Sequence, residues 1–245
     1  MEKLEVHPLA PLTVAEIEEA AGIAKKMLGE GAAFSSVNLL EPDKALVRNY
    51  QSGQAVERKL RLVGYDHPEE NRRDGGFEMI VNLQDKTAQL ERIEIGQAPI
   101  SLLDFVQAIG ITKSDEGWQR AMRERGVTDF DLVQIDPWPS GGFQHPSVPE
   151  GHRVHRAISF VKKDALDNAY ARPVQGLIAH VDLTAGCVAF LEDHGVVPLP
   201  PESGRYDAAS QPKLRDSLKD IEITQPDGTS FTVDGHAVEW EGFNF

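Results

Sequence analysis

The chain has 245 residues, 40% hydrophobic and 26% charged, a balance that supports a packed core and differs from that of disordered tails. That length suffices for one large domain or two of ordinary size. The formal net charge of −14 argues against recognition of a phosphate backbone, which needs clustered Lys and Arg, and is read as solvated surface.

A single cysteine, Cys187, rules out an intrachain disulfide and a cysteine-based zinc site. Its place in an apolar alternation predicts a buried, inert thiol. The opening MEKLEVHPLAPL lacks the basic start and apolar run of a secretory signal, and no stretch approaches the ~20 apolar residues of a membrane span. The expected setting is the cytoplasm.

In chain order, Thr13 with Glu16 makes a capping box, and Ile17, Ala20, Ala21, Ala24, Met27 and Leu28 follow at helical spacing. Gly29 and Gly31 end that helix. Strands are predicted at 33–40, 56–63, 77–83 and 89–95, with a turn at Pro42–Lys44 and an exposed loop over 67–76. The arrangement then recurs. Leu102, Leu103, Phe105, Val106 and Ile109 form an apolar helical face after Ser101, and a second helix over 115–125 carries Trp118 and Met122. Strands follow at 132–136, 154–161, 174–182 and 188–191. Val81-Asn82-Leu83 and Val181-Asp182-Leu183 stand at matching points, which suggests two related α+β units.

From Val197 the text turns Pro- and Gly-rich and loses periodicity, which predicts a linker. Short strands at 221–224, 230–233 and 238–245 are punctuated by Pro226-Asp227-Gly228 and Asp234-Gly235. So little strand cannot close a sheet around its own core, so Trp240, Phe243 and Phe245 read as the opening of a further β domain. The expected divisions are 1–97, 98–199 and 200–245.

No nucleophile motif, dinucleotide fingerprint or phosphate loop is present, and no acid/base pair of carboxylates stands out. Of the eight histidines, only His152 and His155 lie close in sequence. Spacing three on a strand points them to opposite faces, so a shared metal is not expected. His180 and His194 could meet across a hairpin. Trp138, stiffened between Pro137 and Pro139 in what reads as a loop, is a candidate pocket or channel wall, with packing on its own domain as the alternative. Phe143 and Tyr170 stand on similar footing.

The runs HPLAPLTVAEI at 7–17, DFDLVQIDPW at 129–138, YARPVQGLIAHVDL at 170–183, DHGVVPLPPESGRYD at 193–207 and ITQPDGTSFTVDG at 223–235 resemble, in the same order, the front portion of copper-containing amine oxidases. The resemblance implies two cystatin-like α+β domains, each a helix on an antiparallel sheet, followed by the first strands of a truncated β-sandwich. It also implies a homodimeric enzyme that uses copper and topaquinone to convert primary amines to aldehyde, ammonia and hydrogen peroxide. The quinone tyrosine, copper histidines and catalytic base of that family have no counterpart here, since Asn49-Tyr50-Gln51 lies in the first unit and lacks the acidic third residue. No catalytic or metal residue is assigned, no bound cofactor is expected, and the chain alone is expected to be inactive. By matching phrases, Phe105, Pro137, Trp138 and Tyr170 would line one wall of the substrate channel. A stand-alone binding module derived from the family is the alternative reading, and a different metalloenzyme using His152, His155 and His180 is a third. Neither nucleic acid nor membrane is an expected partner.

Overall fold

A computed structural model describes residues 7–244 with the exception of 52, 67–75, 95, 142, 144 and 236. The expected loop over 67–76 therefore falls almost wholly outside the described residues, as does Ile95 at the end of the expected strand 89–95. The chain divides into a compact body ending at Gly204 and a smaller one beginning at Arg205.

The first body contains two α+β units. In the first, α1 (Val14–Leu28) starts at Thr13, whose hydroxyl accepts from the Glu16 amide while the Glu16 side chain accepts from the Thr13 amide. Strands β1 (Ala33–Leu40), β2 (Lys59–Tyr65), β3 (Gly76–Asn82) and β4 (Thr87–Arg92) form an antiparallel meander in that order. A short helix, α2 (Lys44–Arg48), continues the turn expected at Pro42–Lys44, because Asp43 caps it by accepting from the Ala45 amide. Leu60 and Leu62 on β2 and Phe77, Met79 and Val81 on β3 alternate inward and meet Ala20 and Ala24 of α1. Gly64 is required on β2, since a Cβ there would lie 2.0 Å from the Ala33 carbonyl oxygen.

The second unit repeats the plan with α3 (Leu102–Ser114), α4 (Glu116–Glu124) and the meander β5 (Val133–Pro139), β6 (Val154–Val161), β7 (Pro173–Asp182), β8 (Cys187–Asp193). Its core gathers Ala108, Trp118, Met122, Val133, Ile135, Ala157, Leu177, Ala179 and Val181. Three expectations are corrected here. Pro137–Pro139 is strand rather than loop, because β5 pairs with β6 as far as Pro139 opposite His155. The buried face of α3 is Asp104, Ala108 and Thr112 rather than the apolar run, and Leu102, Leu103 and Val106 are exposed. Cys187 is exposed at the start of β8, where burial and then the Asp182 and Asp115 carboxylates raise its thiol pKa.

One device holds both helices. Arg58, just before β2, donates from Nε to Glu16 Oε1 at 2.8 Å and from its terminal nitrogens to the Ala10 and Pro11 carbonyls. Arg153, just before β6, donates from Nε and a terminal nitrogen to Asp104 at 3.0 and 2.7 Å, and to the carbonyls of Ala98 and Pro99. Glu16 and Asp104 are the third helical residues of their capping boxes, so each arginine ties a helix N-terminus to its sheet. The Val-Asn-Leu and Val-Asp-Leu phrases complete the equivalence. Leu83 N–H donates to the Arg58 carbonyl at 3.1 Å and Leu183 N–H to the Arg153 carbonyl at 2.9 Å.

The second latch also reaches the first unit. The Tyr65 hydroxyl donates to Asp104 at 3.1 Å and lies 2.9 Å from the Ser101 hydroxyl, with the Arg153 guanidinium over its ring. Burial alone would raise the Asp104 pKa, but Arg153 and Ser101 together hold it below the usual carboxylate value. The same burial raises that of Tyr65.

In the smaller body, β9 (Phe231–Asp234), β10 (Ala237–Trp240) and β11 (Phe243–Asn244) form a three-stranded sheet, and 221–224, expected as strand, carries none. Trp240 and Phe243 are exposed with ring centroids 6.5 Å apart. Among the described residues no helix is long and apolar enough to cross a membrane.

Candidate functional site

Alternation along the second sheet sends one set of side chains to the helices and the other to the opposite, helix-free face. Val133, Ile135 and Pro137 of β5 are buried toward the helices, whereas Gln134, Asp136 and Trp138 point the other way. Cross-strand pairing extends this face as two rows: Trp138, Arg156, His180, Phe190, and then Asp136, Ile158, Ile178, Glu192.

Trp138 is 60% exposed and Tyr170 56% exposed, unusual for rings carried on a packed scaffold. Tyr170 sits in a 3-10 turn, Ala169–Ala171, capped by Asn168. Its hydroxyl donates to Asp136 Oδ2 at 2.7 Å and its ring meets Phe160 edge-on at 4.9 Å. The hydrogen bond to Asp136 raises the phenol pKa. Tyr170 thus reaches the Asp136 carboxylate, and Trp138 shares the strand face of Asp136. Of the other two candidates, Pro137 is buried on the helix side and Phe105 is half-buried on α3, which covers that side. All four lie around β5, an edge strand of its sheet.

The far side of this face is histidine-rich. His145 stacks on Phe190 at 3.7 Å between centroids, with His180 5.7 Å away. His180 Nε2 lies 3.2 Å from Glu192 Oε2 and His194 Nε2 2.7 Å from Glu192 Oε1. The His194 bond, then that of His180, lowers the Glu192 pKa. The two hairpin histidines meet through a shared carboxylate. His152 lies 2.6 Å from Asp182, while His155 is buried in the second unit, where desolvation lowers its pKa to about 4. Among the described residues no group of three or more His, Cys, Asp or Glu side chains is arranged to hold a metal. The described residues do not fit a copper centre.

Sequence reasoning missed Asp136, Phe160 and Arg156. Their strand register carries the signal: once 133–139 is read as strand, Asp136 and Trp138 share a face.

Residues 7–68 match the copper amine oxidase N2 domain and residues 103–211 the copper amine oxidase N3 domain. The chain is 36% identical over 243 residues to a primary amine oxidase of Arthrobacter sp. (strain P1), covering 98% of this chain and 36% of that protein. It is 33% identical over 241 residues to histamine oxidase of Arthrobacter globiformis, covering 97% of this chain and 35% of that one. Among solved structures, a copper-containing benzylamine oxidase from Hansenula polymorpha superposes with a TM-score of 0.72 at 18% identity, over 98% of this chain and 40% of that chain. The chain thus spans about a third of the length of the relatives it matches. It belongs to the copper-containing amine oxidase family, of which it carries the N2 and N3 domains.

Proposed function

We propose that this chain is the non-catalytic front part of a copper- and topaquinone-dependent, homodimeric, cytoplasmic oxidase of primary amines, and that its second α+β unit supplies one wall of the substrate channel. The observation that carries this reading is the pair of exposed rings, Trp138 on edge strand β5 and Tyr170 bonded to Asp136 of that strand, in a chain with N2 and N3 domains. Their role is steric and apolar, setting channel width and contacting the amine's side chain. Pro137 and Phe105 support the wall from the helix side. Copper and the quinone would reside in parts of such an enzyme beyond these domains, so no chemical step is assigned to any residue here.

The direct test is to assay the purified 245-residue chain with methylamine and histamine. The expected outcome is no hydrogen peroxide above background and no quinone absorbance. Amine-dependent peroxide release would overturn the assignment of these residues as non-catalytic.

A further inference from the structure

Sulfur is divided unevenly between the core and the surface of this chain. Among the described methionines, Met79 and Met122 have no exposed surface, whereas Met27 is 54% exposed. Met79 sits in the core of the first unit and Met122 in that of the second. Met27 lies in the last turn of α1, on the helix face of Ile23 four residues earlier. Ile23 and Ala88 of β4 pack against the first core, and Met27 joins them in lining a groove between α1 and β4 that Lys26 and Lys86 border. Glu19 holds the Lys86 ammonium at 3.0 Å, while Lys26 forms no ion pair among the described residues.

Hydrogen peroxide oxidises a thioether where it can reach the sulfur lone pair. The sulfur takes up one oxygen, the O–O bond breaks, the thioether gives up two electrons and the rest of the peroxide leaves as water. Full burial denies that approach to Met79 and Met122 until the chain opens. The remaining sulfur, Cys187, is exposed, but peroxide attacks the thiolate, and burial followed by the Asp182 and Asp115 carboxylates raises its thiol pKa. The surroundings of Met27 also suit the product. A sulfoxide oxygen accepts hydrogen bonds far better than a thioether sulfur, and the two lysine ammonium groups that border the groove are pure donors.

We propose that Met27 is a peroxide-modified site, a reversible thioether–sulfoxide switch that turns the apolar floor of this groove polar. It lies in the first unit and uses none of the channel-wall residues. Under the reading above, peroxide released by a longer amine oxidase would be the oxidant. The test supplies reagent peroxide instead, so the two readings fail separately.

The chain is treated with dilute hydrogen peroxide in buffer and in urea, then digested and followed by mass spectrometry. In buffer the peptide bearing Met27 is expected to gain one oxygen about tenfold faster than those bearing Met79 or Met122. In urea the three rates should converge. Amide spectra of the isotope-labelled chain should shift on oxidation at Ile23, Lys86 and Ala88, and return after treatment with methionine sulfoxide reductases of both stereospecificities. In Met27→Leu, peroxide should leave those amides unmoved. Comparable rates at the three methionines in buffer would overturn Met27 as the site, and a gap that survives in urea would assign the preference to local sequence instead of exposure. Oxidation of Met27 without shifts at 23, 86 and 88, shifts that the reductases do not reverse, or shifts that persist in Met27→Leu would overturn the switch.

Discussion

The two α+β units share a scaffold down to individual hydrogen bonds, yet their open sheet faces have diverged. In the first unit that face carries Lys59, Arg61, Glu78 and Ile80, with Arg61 paired to Glu78 across the strands. In the second, the open face carries Arg156 and His180 on the two central strands, with Asp136 and Trp138 on one edge strand and Phe190 on the other. A solvated ion-pair face needs no partner and contributes little stability. The second face instead presents the exposed Trp138 ring and a carboxylate, Asp136, that forms no ion pair among the described residues. The helix-side latch is kept in both units, which separates what the fold requires from what the second unit adds.

The latches differ in depth, and this gives the largest test of the comparison. The side chains of Arg153 and Asp104 are 7% and 0% exposed, against 12% and 21% for Arg58 and Glu16. Arg153→Ala would strand a buried carboxylate and is expected to cost about 3–5 kcal/mol in urea unfolding, loosening the joint with Tyr65 as well. Arg58→Ala leaves Glu16 within reach of water, so its cost should be about 1 kcal/mol. Equal losses would show that the two latches are energetically interchangeable.

A second contrast is proton-linked. His155 of the second unit is buried, and desolvation holds its pKa at about 4. It stays neutral in the folded chain over a range in which the unfolded chain takes up a proton, below an ordinary value of about 6.5. Its contribution is therefore fully present above pH ~6.5 and is lost as pH falls toward about 4, about 3 kcal/mol in all. Unfolding free energies measured across that window should lose this slope in His155→Leu. An unchanged slope would assign the titration to another group.

The smallest expected effect concerns the segment leading out of the second unit. Asp167 Oδ1 accepts from the Ser203 hydroxyl at 2.8 Å and the Gly204 amide at 2.6 Å, and Oδ2 from the Lys163 amide at 2.8 Å. With the Lys163 amide as the leading cause, these bonds lower the Asp167 pKa to about 2. A Cβ on Gly204 would lie 2.5 Å from the Asn168 carbonyl oxygen, so Gly204→Ala must displace backbone, at about 1–3 kcal/mol. Faster proteolysis between 195 and 204 in that variant would verify the anchoring, and an unchanged rate would refute it.

Much of the scaffold was legible in the text. Thr13 with Glu16 announced α1, the runs 56–63 and 77–83 announced β2 and β3, and Val-Asn-Leu against Val-Asp-Leu marked the duplication. The parallel Pro11-Leu12-Thr13 with Glu16 and Pro99-Ile100-Ser101 with Asp104 was equally present in the sequence. It went unread because the second box closes with Asp rather than with the usual Glu or Gln. The apolar run on α3 misled for a physical reason. Periodicity reports how many apolar residues share a helix face but not which face the sheet takes, and here the close approach of Ala108 and Thr112 decided.

The sequence by itself determined the element order, the two-unit plan and the family, because capping, alternation and turn chemistry are local properties written in adjacent residues. Only the tertiary structure decided that Arg58 and Arg153 are latches, 42 and 49 residues from their carboxylates. It alone brought Tyr170 onto Asp136, on the strand face of Trp138, with no ion-pair partner for that carboxylate among the described residues. Such pairings arise from strand register and chain reversal, which bring distant residues together and which no local pattern encodes.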